Sequence, residues 1–297
     1  MIFAQTMESL RRGCGHRFPR LGGLAFNTFF RLMPETVETE LLPGVKARLD
    51  LRDLTARATY WQGGRFEHPT PDILAAWGQA GAEMFFDIGS NYGFFSYWMW
   101  SQCPALQIHA FEPNPRTFER LNGIVQRNAL SRIHPHQLAL ADVPGTLQLT
   151  PGKEDSGHST LGTHPQLTSQ EVVDVQVHTF DGWCQATGLI LPTKPSWVVK
   201  MDVEGFELKA LQGMQTALRA RAFAGLAIEI NDFTLDFCGT SAKEVISFLR
   251  DNGYQSIADT PAGSRWPLAQ TANNFFVPIS RQAGRGQHST ARPASRY

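Results

Sequence analysis

Residues 85–95 read Phe-Phe-Asp-Ile-Gly-Ser-Asn-Tyr-Gly-Phe-Phe, and this stretch restricts the fold more than any other. Met84 to Ile88 is a short apolar run carrying one acid. Gly89 and Gly93 bracket a turn whose backbone can come close to a ligand, and Phe94 to Trp100 is too aromatic to face water. The pattern predicts a buried strand, a tight glycine turn and a helix packed on a sheet. A turn of this kind presents helix N–H groups to whatever sits above the strand ends.

The remainder of the chain repeats the alternation. Strands are expected at Gln107–Phe111, Gln137–Leu140, Trp197–Met201 and Gly225–Ile230. Helices are expected from Pro115, with Asn114 as N-cap, from Phe206 through Met214, and from Ala242 to Arg250. Thr146–Leu149 and Val172–Val177 alternate like strands, and Tyr254–Ile257 and Phe275–Val277 suggest an antiparallel edge pair. Upstream, Val45–Leu49 and Ala58–Trp61 look like short strands and Asp72–Gln79 like a helix. Strands alternating with helices imply an α/β, doubly wound, mostly parallel sheet. The expected units are an N-terminal extension over 1–35, strands and a helix packing on the core over 36–80, a core domain over 81–279, and a disordered tail over 280–297. That tail holds four arginines and no acid, which makes it a candidate basic contact patch.

Composition removes several function classes. Lys+Arg and Asp+Glu both number 27, so no overall basic field points to nucleic acid. Cys14, Cys103, Cys184 and Cys238 are scattered without a Cys-x-x-Cys pair, which suits a reduced, cytoplasmic compartment. No apolar run reaches the length of a membrane span, and no secretory leader is expected. The arginines and phenylalanines of residues 11–30 allow at most a weak peripheral membrane contact.

In an open parallel sheet, ligands bind beyond the carboxyl ends of the strands. The expected ends carry Asp87/Gly89, Glu112, Asp142, Asp202/Glu204 and Glu229/Asn231, a polar rim around one crevice. Glu112 stands 19 residues after Gly93, at the end of the second strand, where an acid accepts hydrogen bonds from a ribose diol. The turn lacks the Gly-x-Gly-x-x-Gly spacing that admits a pyrophosphate, and Asp87 would repel a phosphate. An acid there suits ammonium and sulfonium groups, which favours S-adenosyl-L-methionine over NAD.

Three stretches resemble the FkbM family of S-adenosylmethionine-dependent methyltransferases. Phe86-Asp87-Ile88-Gly89-Ser90-Asn91-Tyr92-Gly93 is similar to the family's Asp-Ile/Val-Gly-Ala-Asn-x-Gly, with Ser90 for the usual Ala. Ala110-Phe111-Glu112-Pro113-Asn114-Pro115 is similar to its Phe-Glu-Pro turn. Val199-Lys200-Met201-Asp202-Val203-Glu204-Gly205-Phe206-Glu207 is similar to its Lys-Ile-Asp-Val-Glu-Gly-x-Glu, the most specific of the three. Ala139-Leu140-Ala141-Asp142 fits its third-strand motif. The resemblance implies the seven-stranded class I methyltransferase (Rossmann-like) fold. It puts Asp87, Gly89, Asn91 and Gly93 around the methionine part of the cofactor, Glu112 on the ribose, and Ala141 and Asp142 beside the adenine. It also implies a small-molecule or saccharide hydroxyl as acceptor.

Methyl transfer from a sulfonium needs mainly alignment, and a hydroxyl acceptor must also lose its proton. Asp202 and Glu204 are the candidate bases, against the alternative that they cap the following helix. A Mg²⁺ variant using Asp202, Asn231 and Asp232 is not required by the resemblance, and no metal is expected. His158 and His164, in a polar loop, are weaker candidates, as is His134-Pro135-His136 for a metal. The rival readings are a nicotinamide-dependent dehydrogenase and a binding module of the same fold without catalysis.

Overall fold

The computed structural model describes residues 30, 33–151, 160–161, 172–260, 268 and 272–279. Nearly all of the N-terminal extension, the loop carrying His158 and His164, and the C-terminal tail lie outside the described residues.

The described chain opens with the hairpin β1 (Thr36–Leu42) and β2 (Val45–Asp50), then α1 (Leu54–Gln62) and α2 (Thr70–Gln79). It continues through β3 (Met84–Ile88), α3 (Phe94–Gln102), β4 (Gln107–Phe111), α4 (Pro115–Arg127) and β5 (Ile133–His136). Next come β6 (Ala139–Leu140), β7 (Gly145–Thr150), β8 (Thr160–Leu161), β9 (Val173–His178) and α5 (Phe180–Thr187). The last part holds β10 (Trp197–Met201), α6 (Glu207–Gln212), α7 (Gln215–Arg219), β11 (Phe223–Glu229), α8 (Asp232–Phe237), α9 (Ala242–Asp251), β12 (Tyr254–Ser256) and β13 (Asn273–Pro278).

Seven strands form one sheet in the order β12-β13-β11-β10-β3-β4-β5. β11, β10, β3, β4 and β5 run parallel, and β13 is antiparallel to both β11 and β12. The strand order reverses beside β3, so the crevice lies above the carboxyl ends of β3, β4 and β10. This is the class I methyltransferase arrangement. A smaller sheet has the order β6-β9-β7-β8, and its Ala139, Leu140 and Leu149 line one cleft together with Phe111 at the end of β4.

Period-2 alternation assigns each residue of the central strands a face. Phe85, Ile108, Ala110, Val198, Ala227 and Phe275 pack on the side covered by α2 and α3. Phe86, Ile88, Phe111, Val199, Met201 and Ile228 pack on the opposite side, against α5, α6, α7 and α9. Both faces are covered, which explains why these strands read as continuous apolar runs. The hairpin is strapped to α4: Asn128 Oδ1 accepts from the Lys46 N–H at 2.9 Å and Asn128 Nδ2 donates to the Lys46 carbonyl at 2.8 Å.

Two sequence expectations need correction. Ala58–Trp61 is helical, inside α1. Asp53 caps that helix by accepting from the Ala56 N–H at 2.9 Å, and Ala56, Thr59 and Tyr60 are buried at helical spacing. The third parallel strand is Ile133–His136, earlier than the expected Gln137–Leu140, whose last residues pair instead with β9. β5 is an edge strand, so it can be poor in apolar residues and can accommodate Pro135, which hid it in the sequence.

Candidate active site

The turn after β3 is held by its neighbours on both sides. Gly89 and Ser90 donate to the Phe111 carbonyl at 3.0 and 2.9 Å, and the Asp202 N–H donates to the Ile88 carbonyl at 2.9 Å. Gly89 sits at φ 75°, and a Cβ there would stand 1.8 Å from the Asp202 carbonyl oxygen. Only glycine permits both that angle and that approach between the ends of β3 and β10. Asn91 follows at φ 51°. Its N–H donates to Glu112 Oε2 at 2.8 Å, while Glu112 Oε1 accepts from the Asn114 N–H at 2.8 Å. Glu112 therefore ties the β3 turn to the start of α4. Burial pushes its carboxyl up to about 7, although both N–H donors pull it down.

A cleft opens above this junction. Gly89, Asn91, Glu112, Asp202 and Glu204 give it polar groups, while Ile88, Phe111, Leu138, Leu140, Leu149 and Val203 give it apolar walls. An apolar slot with one buried carboxylate at the strand end is the donor set a nucleoside needs, flat base against hydrocarbon and diol against acid. The residues present fit S-adenosylmethionine.

Not every expected residue reaches the cleft. Asp87 is buried and lines no part of it; its Oδ2 accepts from the Ser96 N–H at 3.0 Å and from the Ser96 hydroxyl at 2.6 Å. Asp87 thus anchors the first turn of α3, and burial raises its carboxyl to about 6. Gly93, at φ 94°, is the N-cap of α3 and is not among the lining residues. Ala141 and Asp142 lie one step past the wall, which is made by Leu138, Ala139 and Leu140. Asp142 is exposed to solvent. The earlier end of β5 accounts for that shift.

In the run 202–207, Glu207 fastens the turn that precedes α6: its Oε1 accepts from the Val203 and Gly205 N–H groups, each at 3.2 Å, while the helix's own N-cap, Phe206, makes no side-chain cap. Burial lifts the Glu207 carboxyl to about 7 against those two donors. Asp202 and Glu204 both line the first cleft and a second one.

The second cleft shares Gly89, Asn91, Asp202 and Glu204 with the first and adds Thr55, Phe66, Glu67, Phe94, Phe95, Lys200 and Glu229. Lys200 and Asp87 are register partners on β10 and β3, and Lys200 and Asp202 share a face by alternation. Lys200 is 1% exposed, and its Nζ makes an ion pair with Asp202 Oδ2 at 3.4 Å and lies 5.1 Å from the centre of the Phe95 ring. Burial opposes the ammonium, but Asp202, Glu67, Glu229 and Asp87 outweigh it and hold its pKa above the ordinary lysine value. Glu229 is pushed up to about 8, by burial first and then by Asp202, to which it is hydrogen-bonded. Glu67 is also raised by burial, and its Oε2 accepts from Asn273 Nδ2 at 3.3 Å.

Sequence reasoning did not assign roles to Lys200, Glu67 and Glu207. Lys200 was detectable, because a lysine inside Val-Val-Lys-Met is a charge in a strand with both faces covered. Glu67 had no signal, since it reaches the cleft only through the packing of the segment between α1 and α2. Asn231 caps α8 by accepting from the Phe233 N–H at 3.0 Å. Among the described residues no group of three or more His, Cys, Asp or Glu side chains stands so as to hold a metal ion. No described helix is long and apolar enough to cross a membrane.

Comparison with known proteins agrees with this geometry. The Methyltransferase FkbM domain matches residues 87–256. A protein named Methyltransferase 1 from Beauveria bassiana is 30% identical over 142 residues, 43% of this chain and 57% of the relative. Hexuronic acid methyltransferase AglP from Haloferax volcanii is 31% identical over 169 residues, 57% of this chain and 62% of the relative. The matches thus span less than two thirds of these relatives. A solved SAM-dependent methyltransferase from Agrobacterium tumefaciens superposes with a TM-score of 0.42 at 9% identity, over 84% of this chain and 71% of that one.

Proposed function

Because this chain belongs to the FkbM methyltransferase family, we propose that it transfers a methyl group from S-adenosylmethionine to a hydroxyl oxygen of a saccharide or related natural product. The observation that carries the reading is the meeting of two clefts at Asp202 and Glu204, one with the features of a nucleoside site and one next to it. A relative named a hexuronic acid methyltransferase supports a saccharide acceptor.

Bound S-adenosylmethionine supplies an activated methyl, whose carbon–sulphur bond breaks as a carbon–oxygen bond to the acceptor forms. On this reading Gly89 and Asn91 border the methionine end and Glu112 accepts from the ribose hydroxyls. Ile88, Phe111, Leu138 and Leu140 cover the base and keep water out. Asp202 takes the acceptor's hydroxyl proton. Lys200 fixes the Asp202 carboxylate from below, and Glu229, protonated at neutral pH, donates a hydrogen bond to it. Phe94 and Phe95, beside Asn91, form the floor on which an acceptor ring lies.

The test is methyl transfer from radiolabelled cofactor to a panel of glycosides, with Asp202→Asn as control. That variant is expected to keep cofactor affinity and to lose about 100-fold or more in kcat, the usual contribution of a positioned base. Full activity in Asp202→Asn would remove the base assignment. Absence of cofactor binding in the wild-type chain would remove the reading as a whole.

A further inference from the structure

We propose that the second cleft selects its acceptor by charge, taking a neutral or amine-bearing hydroxylated ring and rejecting one that carries a carboxylate. This deepens the function proposed above, rests on its assignment of the second cleft to the acceptor, and sets this chain's acceptor apart from the hexuronic acid for which one relative is named.

Four acidic side chains line this cleft, Glu67, Asp202, Glu204 and Glu229; Glu229 is neutral at pH 7 on the reading above, which leaves three carboxylates against Lys200, the one Lys or Arg among the lining residues. They come from separate parts of the chain: Glu67 from the segment between α1 and α2, Asp202 and Glu204 from the turn after β10, and Glu229 from the end of β11. The sheet geometry explains their convergence. Asp202 and Glu229 occupy the same face, one step beyond the paired Met201 and Ile228. Glu229 pairs with Asn273 on β13, and Asn273 holds Glu67 over the same spot.

Lys200 is 1% exposed at the bottom of this cleft, and Asp202 Oδ2, 3.4 Å from its Nζ, already balances its charge. An incoming carboxylate would meet Glu67 and Glu204 before it met any free cation, in surroundings where Phe66, Phe94 and Phe95 lower the local polarity and lengthen the reach of like-charge repulsion. A hydroxyl or ammonium finds acceptor oxygens on several sides, with an aromatic face for the ring's C–H surface.

The experiment uses the full chain loaded with S-adenosylhomocysteine. Three matched probes, methyl glucoside, its 2-amino-2-deoxy analogue and methyl glucuronide, are titrated by calorimetry at low and high salt. The expected order is amino sugar at least as tight as neutral sugar, with the glucuronide about tenfold or more weaker at low salt and the gap narrowing at high salt. Glu67→Gln, which keeps a hydrogen-bonding side chain opposite Asn273, is expected to narrow the gap severalfold without changing S-adenosylhomocysteine affinity. Glucuronide binding as tight as glucoside, a gap insensitive to both salt and Glu67→Gln, or no binding of any probe would overturn the proposal. Methyl transfer is scored separately on the same probes. The charge order without methylation would remove the transferase reading and leave this one, whereas preferred methylation of the glucuronide would do the reverse.

Discussion

Glu112 serves the fold first, and the proposed function adds a ligand to its duties. Its two oxygens already accept from the Asn91 and Asn114 N–H groups, so it organises the turn before any ribose arrives. Glu112→Ala is therefore expected to weaken S-adenosylhomocysteine binding by roughly 1.5–3 kcal/mol, the range for a lost hydrogen bond to a charged group. It should also reduce thermal stability, because two buried donors lose their partner. Calorimetric titration alongside a melting curve separates the two effects, and an unchanged dissociation constant would count against a ribose role. This residue was legible in the sequence because it ends a strand and lies at the right distance from the glycine turn. Asp87 is legible only in part: the sequence gives its strand position, but not that its carboxylate faces Ser96 under the helix.

Among the elements, the turn between β10 and α6 has the most compressed design. Glu204 at φ 50° and Gly205 at φ 99° bend the chain back, and Glu207 fastens the bend by accepting from Val203 and Gly205. Glu207→Ala should cost about 1–3 kcal/mol of stability through those stranded N–H groups, read as a lower denaturation midpoint. It should also lower kcat, since Asp202 and Glu204 ride on the same turn; a stable variant with normal kcat would refute this. The motif is legible in the sequence, but the hold of Glu207 on the turn is not, because it depends on a side chain folding back onto N–H groups two and four residues earlier. Central elements were otherwise easy to read, since covering both sheet faces forces apolar runs. The edge strand β5 and helix α1 were not: Ile-His-Pro-His lacks an apolar run, and Ala-Thr-Tyr-Trp is rich in residues that favour strands.

For the whole molecule, the site gathers buried acids whose carboxyls are all raised: Asp87 to about 6, Glu112 and Glu207 to about 7, Glu229 to about 8. An acid held above its unfolded value favours the folded state when protonated, so this contribution is complete below the ordinary carboxylate range and fades as pH rises through the folded values. The ligand-free protein is therefore expected to lose thermal stability between about pH 5 and pH 8. Glu229→Gln, neutral at every pH, should flatten the upper part of that slope. Melting temperatures across the range, for both proteins, check the sign; a rise in stability over the same interval would contradict it. None of this was visible from the balanced net charge, because it depends on which acids the fold brings under cover.

β13 is the last described strand in the chain, yet it is inserted between β11 and β12. Its Asn273 holds Glu67, a residue more than two hundred positions earlier. The hold on Glu67 therefore forms only when the segment between α1 and α2 meets a strand made more than two hundred residues later. A polypeptide that stops short of residue 273 lacks both β13 and the partner that fixes Glu67.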